Sequence, residues 1–216
     1  MTSVATYSVP MYESHASPSA LRRSSSNCFS VFAIAAFFSG CASITTPLPT
    51  ASGSSVMARE VSITRSALIP GAPEAVFAFI AAEDVLPKVL TGYGPLPAVV
   101  RTSDHTGPWD QVGSARVVHL ADGGTAREQV TLLEAPRRFA YRVWDISNPI
   151  VSALATEARG DWTFVAAAQG TQVTWTYTFV AKNAVTAVPL SAIAQVLWRG
   201  YMDVCLENSV RSMTPK

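Results

Sequence analysis

Two residues with complementary acid–base chemistry lie near the middle of the chain. If Gly123-Gly124 forms a tight hairpin turn, Glu128 is expected opposite His119, in the strand phase that also carries the aliphatic Val130. A carboxylate beside an imidazole in an apolar cavity could act as general base and acid, or could orient a ligand hydroxyl, and its pKa should be raised. The alternative is an ordinary cross-strand pair on a solvated face, which contributes about 0.2–1 kcal/mol.

Aromatic residues on two later segments form the second candidate site. If Gln169-Gly170 is a two-residue turn, Phe164 should face Trp175, and Trp162 should face Tyr177. Rings of this size either fill a core or leave gaps that a flat apolar ligand can occupy. The other residues expected to contact a ligand are Tyr93, Trp109, Tyr141, Asp145, Leu197 and Tyr201.

Composition and spacing argue against most other chemistry. No Ser lies in a Gly-x-Ser-x-Gly elbow, so no nucleophile is indicated. The three cysteines and three histidines are too widely spaced for a zinc site, and neither a metal nor a cofactor is expected. With 16 Lys and Arg against 15 Asp and Glu, the net charge of +1 gives no basic field for nucleic acid. A hydrophobic fraction of 49% favours one folded domain over disorder.

The elements that must position these residues follow from the hydrophobic periodicity. Residues 59–69 alternate as a strand, and helical spacing follows at 72–80 and again at 83–90. Turn signals then separate six extended segments, which predicts an antiparallel meander. These segments are residues 96–103, 113–121, 125–134, 138–146, 159–167 and 171–182.

The C-terminal part changes to a helical period from residue 188 to residue 213. A helix of about 24 residues is about 36 Å long, which is enough to cross such a sheet, so it should cover the buried face. Its predicted buried stripe is Leu190, Ile193, Leu197, Tyr201, Val204 and Asn208.

Three loop segments carry bulky residues that a turn does not require. Tyr93 lies in the segment 91–97 and Trp109 in the segment 106–113, and either could gate a cavity or simply anchor its loop. Residues 147–155 could form a lid or a short helix at one end of the sheet.

The order of a strand, two short helices, six strands and a long helix resembles the helix-grip fold of the SRPBCC superfamily. That superfamily includes START lipid-transfer domains, birch-pollen allergen-type proteins and bacterial polyketide cyclase/dehydrase-like proteins. The resemblance covers residues 59–213 and rests also on residues 73–79 and on Trp162-Thr163-Phe164 facing the strand after Gly170. It implies an α+β fold in which a curved seven-stranded antiparallel sheet wraps the C-terminal helix and encloses a hydrophobic cavity.

The N-terminal residues predict export. Residues 1–40 resemble a signal peptide, with a polar region followed by an apolar run at residues 28–38. This run is about half of the roughly 20 residues that cross a membrane.

The tetrapeptide Phe-Ser-Gly-Cys at residues 38–41 resembles a bacterial lipobox, although Leu usually stands in the place of Phe38. It predicts that Cys41 is acylated and anchors the chain in the cell envelope through a tether at residues 41–57, ahead of a domain at residues 58–213. A translation start at Met57 would make the protein cytoplasmic, and an uncleaved N-terminal anchor is a third alternative. Cys205 has no disulfide partner in such a mature chain.

Three functions are compatible with these patterns. The first is carriage of a hydrophobic small molecule, lipid-like or polyketide-like, by a monomeric membrane-tethered protein. The second is a cyclase or dehydratase that uses His119, Glu128, Asp145 or Tyr141 for proton transfer. The third is a partner-binding domain whose cavity is filled by its own aromatic side chains.

Overall fold

The computed structural model describes residues 59–215, so the predicted signal peptide, Cys41 and the tether lie outside the described residues. Seven antiparallel strands form one sheet in the order β1-β7-β6-β5-β4-β3-β2, which confirms the predicted α+β fold. The strands are Glu60–Ile69 (β1), Val99–Ser103 (β2), Ala115–Leu120 (β3), Thr125–Glu134 (β4), Arg138–Trp144 (β5), Ala155–Ala167 (β6) and Gly170–Ala181 (β7).

Three short helices connect the strands. The first, Pro73–Ile80 (α1), begins with a proline and an acidic first turn, and its Val76, Phe77 and Ile80 are buried. The second, Leu86–Val89 (α2), is shorter than the segment 83–90 predicted for it. The third, Pro149–Leu154 (α3), forms within the segment 147–155, where a lid or short helix was an alternative.

The C-terminal helix has a π-helical turn in its middle. It consists of Ala184–Ile193 (α4), the π turn Ala194–Trp198 and Arg199–Met213 (α5). The π turn is wider than a regular turn and shifts the residues that follow it. Of the predicted stripe, Leu190 and Tyr201 are buried, but Ile193, Val204 and Asn208 are only half-buried. Leu197, predicted inside, is only half-buried. The buried residues are Leu190, Ala194, Tyr201, Met202, Cys205, Leu206 and Ser209. No helix among residues 59–215 is long and apolar enough to cross a membrane.

The register of the β3–β4 hairpin differs from the prediction. Glu128 lies opposite Arg116, and His119 lies opposite Thr125, because the connection is centred on Asp122 rather than between Gly123 and Gly124. The Asp122 side chain stabilises this connection by accepting a hydrogen bond of 2.9 Å from the backbone of residue 124. A displacement by an odd number of positions moves His119 to the opposite face from Glu128. The predicted Glu128–His119 pair is therefore wrong.

The register of the β6–β7 hairpin also differs, without changing the face. Trp162 lies opposite Trp175, and Phe164 lies opposite Val173, because the turn contains residues 168 and 169. The displacement is even, so Tyr177 and the other three aromatic residues still share the buried face.

The outer face of β1 and β7 carries a ladder of paired hydroxyl groups. Ser62 pairs with Thr178 at 2.8 Å, and Ser66 pairs with Thr174 at 3.0 Å. Thr64 lies between them and pairs with Thr176 at 2.9 Å. These cross-strand pairs hold the edge strand β1 to its neighbour.

Candidate ligand-binding cavity

A cavity of about 130 Å³ lies between the inner face of the sheet and the C-terminal helix. For comparison, an engineered apolar cavity of about 150 Å³ holds one benzene molecule, and pockets for drug-sized ligands measure about 300–1,000 Å³. The cavity therefore has room for one ring or a short chain. A smaller void of about 30 Å³ adjoins it, since Glu128, Tyr141 and Trp175 line both.

Aromatic side chains from β7 and from the π turn form one wall. Trp175, Tyr177 and Phe179 point inward because alternate residues of a strand share a face. The Trp198 ring contacts Tyr177 at a centroid distance of 4.7 Å, Phe179 at 5.2 Å and Tyr201 at 5.1 Å. These rings occupy much of the space between sheet and helix, which is why the remaining cavity is small.

The same wall contains polar atoms without partners. The indole N–H groups of Trp175 and Trp198 are buried and have no hydrogen-bond partner among the described residues. A buried donor without a partner costs about 1–3 kcal/mol, so each would gain from a nearby acceptor.

A buried ion pair lies at the inner end of the cavity. The Arg116 guanidinium donates from Nε and Nη2 to Oε2 of Glu128, both at 2.8 Å, and the two side chains are only 2% and 5% exposed. Arg116 also donates from Nη1 to the Glu83 carbonyl at 2.7 Å and lies 3.6 Å from the centre of the Trp109 ring. Both contacts with Arg116 use Oε2, and no hydrogen bond within residues 59–215 uses Oε1.

The titratable groups around this end are perturbed by their surroundings. Burial raises the pKa of Glu128, and the Arg116 charge opposes the increase. Burial first, and then the negative charge of Glu128, raises the pKa values of Tyr141 and Tyr177. Their hydroxyl groups are therefore protonated at neutral pH and can donate hydrogen bonds. Burial also raises the pKa of Cys205 to about 12, so its thiol is not a nucleophile there.

Five of the residues proposed from the sequence line the cavity. Glu128 and Tyr141 project from β4 and β5, and Trp175 and Tyr177 project from β7. Tyr201 reaches the cavity from α5, and its hydroxyl donates to the Pro97 carbonyl at 3.1 Å. Tyr141 packs over a residue without a side chain, because a Cβ at Gly160 would collide with its ring.

Three proposed aromatic residues belong to the packed core instead. Trp162 stacks behind Trp175 at a centroid distance of 4.4 Å, where it borders only the smaller void. Phe164 packs against Phe77 of α1 at 5.2 Å. Trp109 is buried beneath Arg116, so its loop is anchored there, and the residue is not at the cavity mouth.

The remaining proposed residues lie at the surface or outside the cavity lining. His119 is half-buried on the outer face and shares a hydrogen bond of 2.8 Å with Ser103. Asp145 is exposed and lies 3.5 Å from Arg127. Tyr93 is 40% exposed, and Leu197 is not part of the lining.

Two functional residues were not anticipated from the sequence. Arg116 alternates with Val118 and so shares its inner face, which a correctly placed hairpin would have indicated. Trp198 follows the buried Ala194 by four residues, a spacing that places both on one helix face, whereas the predicted stripe included its neighbour Leu197 instead.

The half-buried lining residues indicate where the cavity approaches the surface. Leu96 and Pro97 come from the loop after α2, Asn148 and Val151 come from the start of α3, and Trp198 comes from the helix.

Contacts with the helix hold this loop in place. Asn208 donates to the Val89 carbonyl at 3.0 Å and to Thr91 Oγ1 at 2.9 Å. The Tyr93 ring lies against Gly200, where a Cβ would collide with it. Tyr93 thus anchors its loop to the helix.

No group of three or more His, Cys, Asp or Glu side chains that could hold a metal ion occurs in the part of the chain that the structure describes. The polar groups of the cavity are instead one carboxylate, three phenol hydroxyls, two indole N–H groups and the amide of Asn148. Such a set can bind a neutral polar group by hydrogen bonds within apolar walls.

Comparison with known proteins identifies the fold and family. The family model described as "Polyketide cyclase / dehydrase and lipid transport" matches residues 60–214. Major latex-like protein 151 from Panax ginseng is similar in structure, with a TM-score of 0.56, 12% identity, and coverage of 72% of this chain and 99% of that one. Protein CV1439 from Chromobacterium violaceum has a TM-score of 0.52, 15% identity, and coverage of 72% and 99%.

A third similar structure is the di-domain ARO/CYC StfQ from the steffimycin biosynthetic pathway. It has a TM-score of 0.54 and 16% identity, and the match covers 73% of this chain and 52% of that one. No curated protein sequence matches the chain.

Proposed function

The chain belongs to the polyketide cyclase/dehydrase and lipid transport family, and from this premise we propose that it binds an apolar small molecule, lipid-like or polyketide-like, in the cavity between sheet and helix. The observation that carries the proposal is the cavity of about 130 Å³ with aromatic walls and a polar inner end. At the present volume, the cavity accepts one ring or the end of a longer molecule. A larger ligand requires the loop after α2, or α3, to move away from the helix.

The inner end supports a preference for neutral ligands with a hydroxyl or carbonyl group. The Tyr177 hydroxyl is a protonated donor, and Oε1 of Glu128 is an acceptor without a described partner. A ligand carboxylate would be repelled by Glu128, whereas a phenol can donate to it and accept from Tyr177.

Binding of 2-naphthol, followed by its fluorescence, tests the proposal. Val118 lines the cavity, and its neighbour Val117 lies on the opposite face of the same strand. Val118→Phe should fill the cavity and weaken binding at least about tenfold, a change of about 1.4 kcal/mol, with the fold retained. Val117→Phe is the matched control and should bind as wild type does. Equal affinity in the two variants would contradict binding in this cavity.

An enzyme of the cyclase or dehydratase type is the second candidate, because Glu128 lines the cavity beside Tyr141. His119 cannot assist, since it lies on the outer face with Ser103. A proton-transferring Glu128 should accelerate the exchange of the central C–H protons of 2,4-pentanedione in D₂O. Exchange at the uncatalysed rate would refute the enzyme candidate, and ligand binding would remain as the proposed function.

We also propose that the protein is tethered to the bacterial cell envelope through an acylated Cys41. The support is the apolar run at residues 28–38 followed by the small residues before Cys41. Wild type should incorporate radioactive palmitate, and Cys41→Ser should not. Labelling that persists in this variant, or a native N-terminus at Met57, would refute the anchor.

A further inference from the structure

Two neighbouring helices form an uncharged surface. Residues 147–156, which include α3, and residues 183–198, which include α4 and the π turn, contain no Asp, Glu, Lys or Arg. The two helices pack against each other. Surface helices normally carry charged residues on the side that faces water, so two adjacent uncharged helices are unusual for a face that contacts only solvent.

Large apolar side chains are exposed on this surface. Val185, Val188 and Val196 of the C-terminal helix are 81%, 73% and 68% exposed, and Ile150 of α3 is 61% exposed. We call these four residues the apolar face. They are four of the nine large apolar side chains that are exposed within residues 59–215. Clustering of this kind indicates an interaction surface, whereas single exposed apolar residues do not.

The apolar face lies beside the place where the N-terminal segment joins the domain. Glu60, near the start of β1, pairs with Val180, shortly before α4 begins. A surface groove runs from Val61 along α4 past Val188. The 58 residues before Arg59 include the apolar run at residues 28–38. If that run is bound to a membrane, the domain is attached to the membrane at the same edge.

The apolar face also adjoins the cavity mouth. Val151 of α3 and Trp198 of the π turn line the cavity, so the two helices that carry the apolar face also form part of the cavity wall. A ligand that leaves an apolar phase at this surface would therefore reach the cavity with little exposure to water.

We propose that the apolar face docks on the surface of a lipid bilayer. Protein interfaces combine aromatic or Arg anchors with directed hydrogen bonds, whereas this face consists of Val and Ile side chains among Ala, Ser and Pro. Binding to the bilayer interface scales with the apolar area that is buried and needs no directed hydrogen bonds, so a face of Val and Ile side chains suffices for it. The side chains enter the headgroup region while the helices lie along the membrane surface.

Quenching of tryptophan fluorescence by phosphatidylcholine vesicles with brominated acyl chains tests the proposal on the full chain. Val185→Trp places an indole on the apolar face, where Val185 is 81% exposed, so this indole should be quenched. The native Trp198 points from the helix into the cavity and should be quenched less. Val188→Asp combined with Val196→Asp should lower the fraction docked at a given lipid concentration by about tenfold. Val165→Asp is the matched control, because Val165 is 61% exposed near the other end of the sheet.

Equal quenching of the paired Asp variant and the Val165→Asp control would overturn the proposal. So would a concentration-dependent dimer that the paired Asp substitutions dissociate, because a second copy would then occupy the face. An N-terminal anchor holds every variant on the vesicles equally, and for that reason quenching of the indole introduced by Val185→Trp, not co-sedimentation, is measured in each variant. Binding of 2-naphthol by the Asp variants without vesicles should match wild type, which separates failure of docking from failure of ligand binding.

Discussion

Replacing Glu128 by glutamine should destabilise the protein by about 3–5 kcal/mol, the usual cost of breaking a buried ion pair from one side. The substitution preserves the volume of the side chain but removes the charge that balances Arg116, whose side chain is only 2% exposed. The strong partners that remain for Arg116 are the Glu83 carbonyl and the Trp109 ring. The contact with the ring is already present in wild type, so it does not compensate for the loss of a carboxylate at 2.8 Å.

Urea unfolding at pH 7, analysed with the slope m, measures this cost. Glu134→Gln is the control, because Glu134 is exposed at the end of the same strand, and its replacement should change stability by less than about 0.5 kcal/mol. The double variant Arg116→Met, Glu128→Leu should lie within about 1 kcal/mol of wild type or above it, since neither charge then remains buried.

The single variant Arg116→Met adds a pH dependence. It removes the charge that lowers the pKa of Glu128, so that pKa should rise further. When the pKa of a carboxyl is higher in the folded state than in the unfolded state, its contribution to stability is fully present at pH values below the unfolded pKa. That contribution is lost as the pH rises through the folded pKa. Arg116→Met should therefore be closer to wild type at pH 4 than at pH 7. A cost below about 0.5 kcal/mol for Glu128→Gln, with no pH dependence in Arg116→Met, would show that the pair is solvated.

Three further predictions concern the cavity wall. Trp175→Ala should cost about 3–5 kcal/mol in urea unfolding, because the ring is 2% exposed and stacked on Trp162. A cost below about 1 kcal/mol would contradict this packing. Gly160→Ala should displace the Tyr141 ring and change the near-ultraviolet circular dichroism, and an unchanged spectrum would contradict the contact. Cys205, with a pKa of about 12, should react with iodoacetamide at pH 8 only after unfolding in urea, so rapid alkylation at Cys205 itself in the native protein, located by peptide mass spectrometry, would show that the thiol is accessible.

The fold was predictable because the hydrophobic residues of its strands repeat every second residue, which differs clearly from the helical period. Alternation in β7 places Trp175 and Tyr177 on one face whatever the exact turn, since a register error of two positions preserves the face. The β3–β4 hairpin was not predictable in this way, because its actual turn moves the register by an odd number of positions. Arg116, and not the predicted His119, is therefore the partner of Glu128.

Other parts of the site depend on features without a local sequence signal. The predicted stripe passes through Leu197, whereas Trp198, the last residue of the π turn, is the residue that lines the cavity. The position of Trp109 under Arg116 depends on contacts between distant segments, which no local pattern encodes.

The hydroxyl ladder between β1 and β7 has a consequence for how the chain folds. Its pairs join residues 108 to 116 positions apart, so the first strand to be synthesised must wait for the last before it gains a partner. Closing so long a loop carries a large entropic cost, and contacts of this separation slow folding. Until β7 is complete, β1 remains an unpaired edge with apolar Val61 and Ile63 on one side, which is the period when aggregation is most favourable.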